Sequence, residues 1–179
     1  WISLRMNDHH YFNDFSRVSP LLFNHPELRV NRNGLFNYAK PEVRDHYMKL
    51  IAEVLERYDI DGVELDWIRT PNNFHAHELD AGREVLTAFV REAHRHTRAA
   101  AQRLGHPVKL AARVPATPEF AYKKGFDAVR WARDGLVDMI VASDFWSGCG
   151  DFPIERWRAQ IGPDGAACTI IACTQCTYS

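Results

Sequence analysis

The stretch of residues 58–69 constrains the fold of this chain most strongly, because it combines the pattern of a buried strand with two acids. Apolar and acidic residues alternate within it in the order Val63, Glu64, Leu65, Asp66, Trp67. In a β-strand, such alternation turns the apolar side chains to one face and both carboxyl groups to the other. A half-buried carboxylate is unfavourable unless it is paired or solvated, so the pattern indicates a functional site. An edge strand with a solvated face is the structural alternative.

Length and composition predict one globular domain over residues 1–179. The chain has 179 residues, of which 46% are hydrophobic and 25% charged, and its formal net charge is −1. This balance disfavours disorder, and the lack of a lysine or arginine stripe disfavours nucleic acid as a partner. No apolar run approaches the roughly 20 residues that a membrane span requires. The sequence starts without Met or a signal-peptide pattern, so we expect a fragment whose natural N-terminus, and any export signal, are missing.

Strand and helix patterns alternate along the chain. We predict strands over 2–6, 61–69, 108–114, 137–141 and 168–173, and helices over about 41–58, 78–104, 117–135 and 154–161. Gly125 is expected to divide the third helix. A loop of roughly thirty residues, rich in aromatics and Asn, follows the first strand and is long enough to suggest a function. Regular alternation of this kind requires right-handed crossovers and a parallel sheet.

The positions of the polar residues favour a barrel over a doubly wound sheet. No Gly-rich strand-to-helix turn is present, although a nucleotide-binding sheet needs one. Polar residues instead follow the ends of successive strands, where a (β/α)₈ barrel builds its active site. They are Asn7, Asp8, His9, Asp66, Arg69, Arg113, Asp144 and Trp146. Because a full barrel takes about 250 residues, we predict an incomplete TIM barrel with about five strands and four helices.

The two acids of the central strand are the predicted catalytic groups. Asp66 lies where the strand opens to the barrel mouth, and Glu64 lies one pleat deeper. An ion pair with Arg5 would make Glu64 a structural support for Asp66. The remaining polar residues at the strand ends are predicted to bind substrate, although Asn-Asp is also a common turn sequence.

Metal and redox chemistry have weaker support. Cys173 and Cys176 have the spacing of half a zinc site or of a redox pair, but no second close pair exists, so structural thiols are favoured. His75 and His77 form a His-x-His motif, which marks metal-dependent amidohydrolase barrels when it ends a strand. Here the motif lies in a polar loop before a helix, and we therefore predict no metal and no cofactor.

Residues 37–44 (NYAKPEVR) and 57–69 (RYDIDGVELDWIR) resemble the family-10-like glycosyl hydrolases, hypothetical glycoside hydrolases of bacterial genomes. The resemblance extends to residues 25–28 and 135–138 and covers most of the chain up to about Trp146. It implies a TIM barrel with a carbohydrate site at the strand ends. Residues 61–66 also resemble the acidic strand of family-18 chitinases. That motif's final catalytic glutamate falls on Ile68, so chitinase chemistry is not carried over.

The leading hypothesis is a glycoside hydrolase that cleaves an oligo- or polysaccharide by carboxylate acid/base chemistry, and a fragment of it alone is expected to be inactive. One alternative is a non-catalytic barrel that binds carbohydrate. Another is a metal-dependent hydrolase of the amidohydrolase type.

Overall fold

Five parallel strands form one sheet in the computed structural model, which describes residues 1–7, 19–30, 34–144 and 152–174. The strands are β1 (Ile2–Arg5), β2 (Gly62–Asp66), β3 (Lys109–Pro115), β4 (Met139–Asp144) and β5 (Thr169–Thr174). The α-helices of the described part are α1 (Pro20–Asn24), α2 (Pro41–Arg57), α3 (Leu79–Leu104), α4 (Pro118–Lys123), α5 (Ala128–Arg133) and α6 (Ile154–Ile161). Short 3₁₀ turns cover Pro26–Leu28, Ala76–Glu78 and Pro163–Gly165.

The predicted α/β class and parallel sheet are confirmed, whereas the predicted number of four helices is wrong. The described residues contain six α-helices. The segment 117–135 forms α4 and α5 as separate helices, because Gly125 between them adopts a left-handed φ of 95°. The long loop after β1 also contains α1, a 3₁₀ turn and a bridge between Arg29 and Phe36, so it is not structureless.

Local sequence signals explain where most of these elements begin and end. Pro41 occupies the first turn of α2, whose buried residues recur every fourth position from Val43 to Leu55. Gly105 ends α3 in the left-handed conformation with φ 79°, as its position after Leu104 predicts. The Thr117 hydroxyl caps α4 by accepting a hydrogen bond from the Phe120 amide.

The strand order places all crossovers on one side of the sheet. The strands lie in the order β1-β2-β3-β4-β5 with every neighbouring pair parallel, so the order has no reversal. Right-handed crossovers between sequential parallel strands put their helices on the same face. A doubly wound sheet would instead reverse its order and carry helices on both faces.

The core between sheet and helices contains the apolar half of β2. Val63, Leu65 and the following Trp67 are fully buried. The Trp67 ring lies 4.9 Å from that of Tyr38 and 5.7 Å from that of Phe126, between centroids. The predicted alternation of apolar and acidic faces is therefore confirmed, and the acids of β2 face away from the helices.

Gly62 permits the close approach of β2 to β3. A Cβ atom there would lie 2.8 Å from the carbonyl oxygen of Lys109 and from the ring of Trp1. Trp1 is half exposed and can move, but the Lys109 carbonyl belongs to the backbone of the sheet. We expect Gly62→Ala to lower the free energy of unfolding by about 1–3 kcal/mol, measured by urea denaturation. Asp61→Ala, at the exposed neighbouring position, is the control, and equal stability of both variants would contradict this packing.

Candidate active site

Glu64 and Asp66 lie on the sheet face opposite the helices, in two adjacent rows of paired residues. The strand register places Glu64 beside Ser3 of β1, and Asp66 between Arg5 of β1 and Arg113 of β3. Paired residues of neighbouring strands project from the same face. The structure thus groups two acids, two arginines and a serine that are spread over 111 positions from Ser3 to Arg113.

Arg113 is the arginine that binds Glu64. Its Nη2 lies 3.0 Å from both Glu64 carboxylate oxygens, and its Nε donates to Oε1 at 3.2 Å. Such a forked pair is stronger and more directional than a single contact. The prediction that an arginine supports Glu64 is borne out by this contact, but the predicted partner, Arg5, is replaced by Arg113. Arg5 instead lies opposite Asp66, because register and not proximity in sequence decides the pairing.

The pKa of the Asp66 carboxyl group is raised from its ordinary value. Burial raises the pKa of its carboxyl group, and the charge of Glu64 raises it further. The Ile68 amide, which donates to Oδ1 at 3.1 Å, opposes this effect, as do the charges of Arg113 and Arg5. Burial is the largest cause, so the net shift of the Asp66 pKa is upward. The Asp66 side chain nevertheless keeps 13% of its surface exposed, which leaves a path for a proton.

Two further residues of this cluster were not predicted from the sequence. The Ser3 hydroxyl donates to Glu64 Oε1 at 2.6 Å. Arg113 Nη1 donates to the sulfur of Cys173 at 2.9 Å. The alternation of Ser3 with Ile2 and Leu4 placed it on the polar face of β1, but its partner follows only from the register of β1 against β2. For Cys173 the sequence offered only the spacing to Cys176, which points to a different chemistry.

Asn7 is fully buried and joins β1 to two loops. Its Nδ2 donates to Asn73 Oδ1 at 2.9 Å and to the carbonyls of Phe36 and Asn72 at 3.3 Å. Its Oδ1 accepts from the Phe36 amide at 3.0 Å. A direct contact between Asn7 and a sugar, as predicted, would require these hydrogen bonds to open.

Among the other predicted substrate-binding residues, the structure describes Arg69 and Asp144. Arg69 is half-buried in the turn after β2. Asp144 ends β4 and follows Ser143, so the strand alternation turns it to the face opposite the two acids. Asp8, His9 and Trp146 lie outside the described residues.

The histidine and cysteine motifs do not assemble a metal site in the described part of the chain. The rings of His75 and His77 stack at a centroid distance of 5.6 Å. Within residues 1–7, 19–30, 34–144 and 152–174, no group of three or more His, Cys, Asp or Glu side chains is placed to hold a metal ion. Cys168 and Cys173 are free thiols, and burial raises the pKa of Cys168 to about 11. Cys176 lies outside the described residues.

Arg113 is therefore the centre of the site: it binds Glu64, lies 3.9 Å from Asp66 through Nε and contacts Cys173. The arrangement can hold one carboxylate fixed while a neighbouring carboxyl group gains and loses a proton.

None of the described helices has the length and apolar character needed to cross a membrane. No protein-family model matches this sequence, and no curated protein matches it significantly.

Proposed function

We propose that the protein is a glycoside hydrolase built on an incomplete (β/α)₈ barrel, with Asp66 as the proton donor to the glycosidic oxygen. The observation that carries this proposal is the pairing of a carboxyl group of raised pKa with an arginine-bound carboxylate on the same strand. Glycoside cleavage uses two carboxyl groups in unequal environments, one kept protonated and the other ionised. The resemblance of residues 37–44 and 57–69 to glycosyl hydrolases supports the choice of substrate class.

The barrel assignment is supported by the sheet itself. Sequential strand order with helices on one side is the arrangement that a barrel repeats until it closes. Within the described residues the sheet is open, with β1 and β5 as its edges, so further strands would have to close it. The carboxyl ends of the strands then form the mouth of the barrel, which is where Asp66 ends β2.

In this mechanism Asp66 donates its proton to the leaving oxygen as the glycosidic bond breaks. A water molecule bonds to the anomeric carbon, and the proton that it loses returns to the ionised Asp66 carboxylate. Burial of Asp66 favours the protonated form that a general acid requires. Glu64, bound by Arg113 and Ser3, supplies a fixed negative charge beside it. This charge disfavours a second ionised carboxylate and so helps Asp66 retain its proton.

The proposal predicts that the fall in activity with rising pH, the alkaline limb of the pH profile, is shifted to higher pH. A general acid is active only while protonated, so the rate falls as the pH rises through the pKa of Asp66. Because that pKa is raised, kcat/KM should stay high beyond the pH at which an ordinary aspartate is ionised. The measurement is release of reducing ends from a panel of oligosaccharides by the complete gene product, over the acidic and neutral range.

The outcomes of this assay separate the candidate functions. Turnover with the displaced limb supports the proposal, and turnover with a limb at the pH of an ordinary aspartate contradicts the role of Asp66. Binding of glycans without any turnover would favour the non-catalytic barrel. Turnover that a chelator abolishes would favour the metal-dependent hydrolase.

A further inference from the structure

The guanidinium of Arg113 is held from two sides. Its Nε and Nη2 bind Glu64 on β2, while its Nη1 donates to Cys173 on β5 at 2.9 Å. Glu64 and Cys173 thus bind opposite ends of one planar group, across strands β2 to β5. Arginine has a long side chain with considerable rotamer freedom, and each fixed contact limits it.

We infer that Cys173 is a positioning residue for the carboxylate pair, acting through Arg113. This inference rests on the proposed function, since the effect of Arg113 on Asp66 becomes measurable in catalysis. Cys173 does not touch the reacting atoms in this scheme. It accepts a hydrogen bond from Nη1 and so fixes the plane in which Nε and Nη2 meet Glu64 and Nε approaches Asp66.

The charged and polar groups around Asp66 and Arg113 lie on different strands, and Cys173 contacts Arg113 directly. The ionisable groups acting on Asp66 are Glu64 on its own strand, Arg113 on β3 and Arg5 on β1. Those acting on Arg113 include Glu64, Asp66 and Cys173. Cys173 is the member of this set that lies on β5, so it holds the guanidinium from the side away from the acids.

The contact can be tested without any assay of glycan turnover. In a background carrying Cys149→Ser, Cys168→Ser and Cys176→Ser, Cys173 is the only thiol, and its alkylation by iodoacetamide can be timed. Arg113→Met removes the hydrogen-bond donor to the Cys173 sulfur, and Glu64→Gln releases the side of the guanidinium that holds this donor in place. Each substitution should therefore change the alkylation rate by about two- to tenfold.

The alkylation test needs a matched control variant and a check that each variant folds. Glu84→Gln, whose carboxylate pairs with Arg130 on the surface, is the matched control and should leave the alkylation rate unchanged. Far-UV circular dichroism identifies any variant that does not fold. If Glu64→Gln or Arg113→Met does not fold, the alkylation rate of the other variant decides. Unchanged rates in the folded variants would overturn the contact and the inference with it.

The positioning role is tested by activity in Cys173→Ala and Cys173→Ser. Alanine removes the hydrogen-bond acceptor and should lower kcat/KM about two- to tenfold, whereas serine keeps an acceptor and should restore most of the loss. Arg113 lowers the pKa of Asp66, so a less firmly held guanidinium should move the alkaline limb to higher pH in the alanine variant. A merely structural role for Cys173 would lower stability without moving the limb.

Different results would contradict the proposed function and the positioning role of Cys173. If the wild-type protein turns over no glycan, the proposed function fails, while the alkylation rates still decide whether Cys173 and Arg113 are coupled. If the wild type is active and Cys173→Ala matches it in both rate and pH limb, the positioning role is wrong and the proposed function stands.

Discussion

Asp66→Asn is expected to lower the rate of hydrolysis of unactivated oligosaccharides by about 10²- to 10⁴-fold, the range that general acid catalysis contributes. Asparagine has nearly the same shape and can still accept the hydrogen bond from the Ile68 amide, but it has no proton to donate at the pH of the reaction. The loss should fall mainly on kcat, because the proton is transferred in the transition state. Steady-state kinetics of both proteins on the same oligosaccharide measure it.

Substrates with activated leaving groups make this prediction specific to the proton donor. An aryl glycoside whose phenol is strongly acidic leaves without protonation, so Asp66→Asn should retain much of its activity on it. Equal losses on activated and unactivated substrates would assign Asp66 another role, such as nucleophile. Asp61→Asn, at an exposed aspartate just before β2, is the matched control and should behave as the wild type on both.

The same substitution should stabilise the folded protein at neutral pH. Because the pKa of Asp66 is raised in the folded state, the native protein binds this proton more tightly than the unfolded chain does. The stability that this gives is complete at pH values below the ordinary pKa of aspartate and is lost as the pH rises through the raised pKa. Asparagine avoids the cost of a buried charge, so thermal unfolding should show a higher Tm for Asp66→Asn at neutral pH and little difference in acid.

Local patterns in the sequence were sufficient to predict the elements that position Asp66. The alternation from Val63 to Trp67 identified β2, and residues 154–161 matched α6 to the residue. The boundaries of β4 were less predictable: strand pairing begins at Met139, although the apolar run begins at Leu136. Leu136 and Val137 are buried in the connection from α5, and an apolar run alone does not reveal which of its residues pair with a neighbouring strand.

The contacts within the site could not be predicted without knowing the register of the sheet. Arg113 lies 49 positions from Glu64, and Cys173 lies 60 positions from Arg113. In sequence, Arg5 was an equally plausible partner for Glu64, because it is also a cation within a strand. Which arginine meets which acid depends on the pairing of β1 and β3 with β2, and a shift of one residue would turn each side chain to the other face.

Arg113→Met is expected to destabilise the protein by about 3 kcal/mol, near the lower end of the range for breaking a buried ion pair. Methionine keeps a similar length and packing but leaves Glu64 with the Ser3 hydroxyl as its remaining described hydrogen-bond donor. The Glu64 side chain is 11% exposed and so gains little from water, whereas Arg113 is 24% exposed, which moderates the loss. Denaturation by urea at neutral pH measures the change.

A double-mutant cycle separates the loss of the pair from the loss of packing. Glu64→Gln removes the uncompensated charge, so the double variant Glu64→Gln with Arg113→Met should be more stable than Arg113→Met alone. Additive effects of the two substitutions would show that the forked contact contributes no coupling, and would remove the basis for treating Glu64 as a fixed charge. The matched cycle of Arg130→Met with Glu84→Gln breaks an exposed pair and should show little coupling, because solvent screens that interaction. A large coupling at Glu64 with none at Glu84 would mean that this arginine holds a buried charge in place beside Asp66, which is the condition that the proposed acid requires.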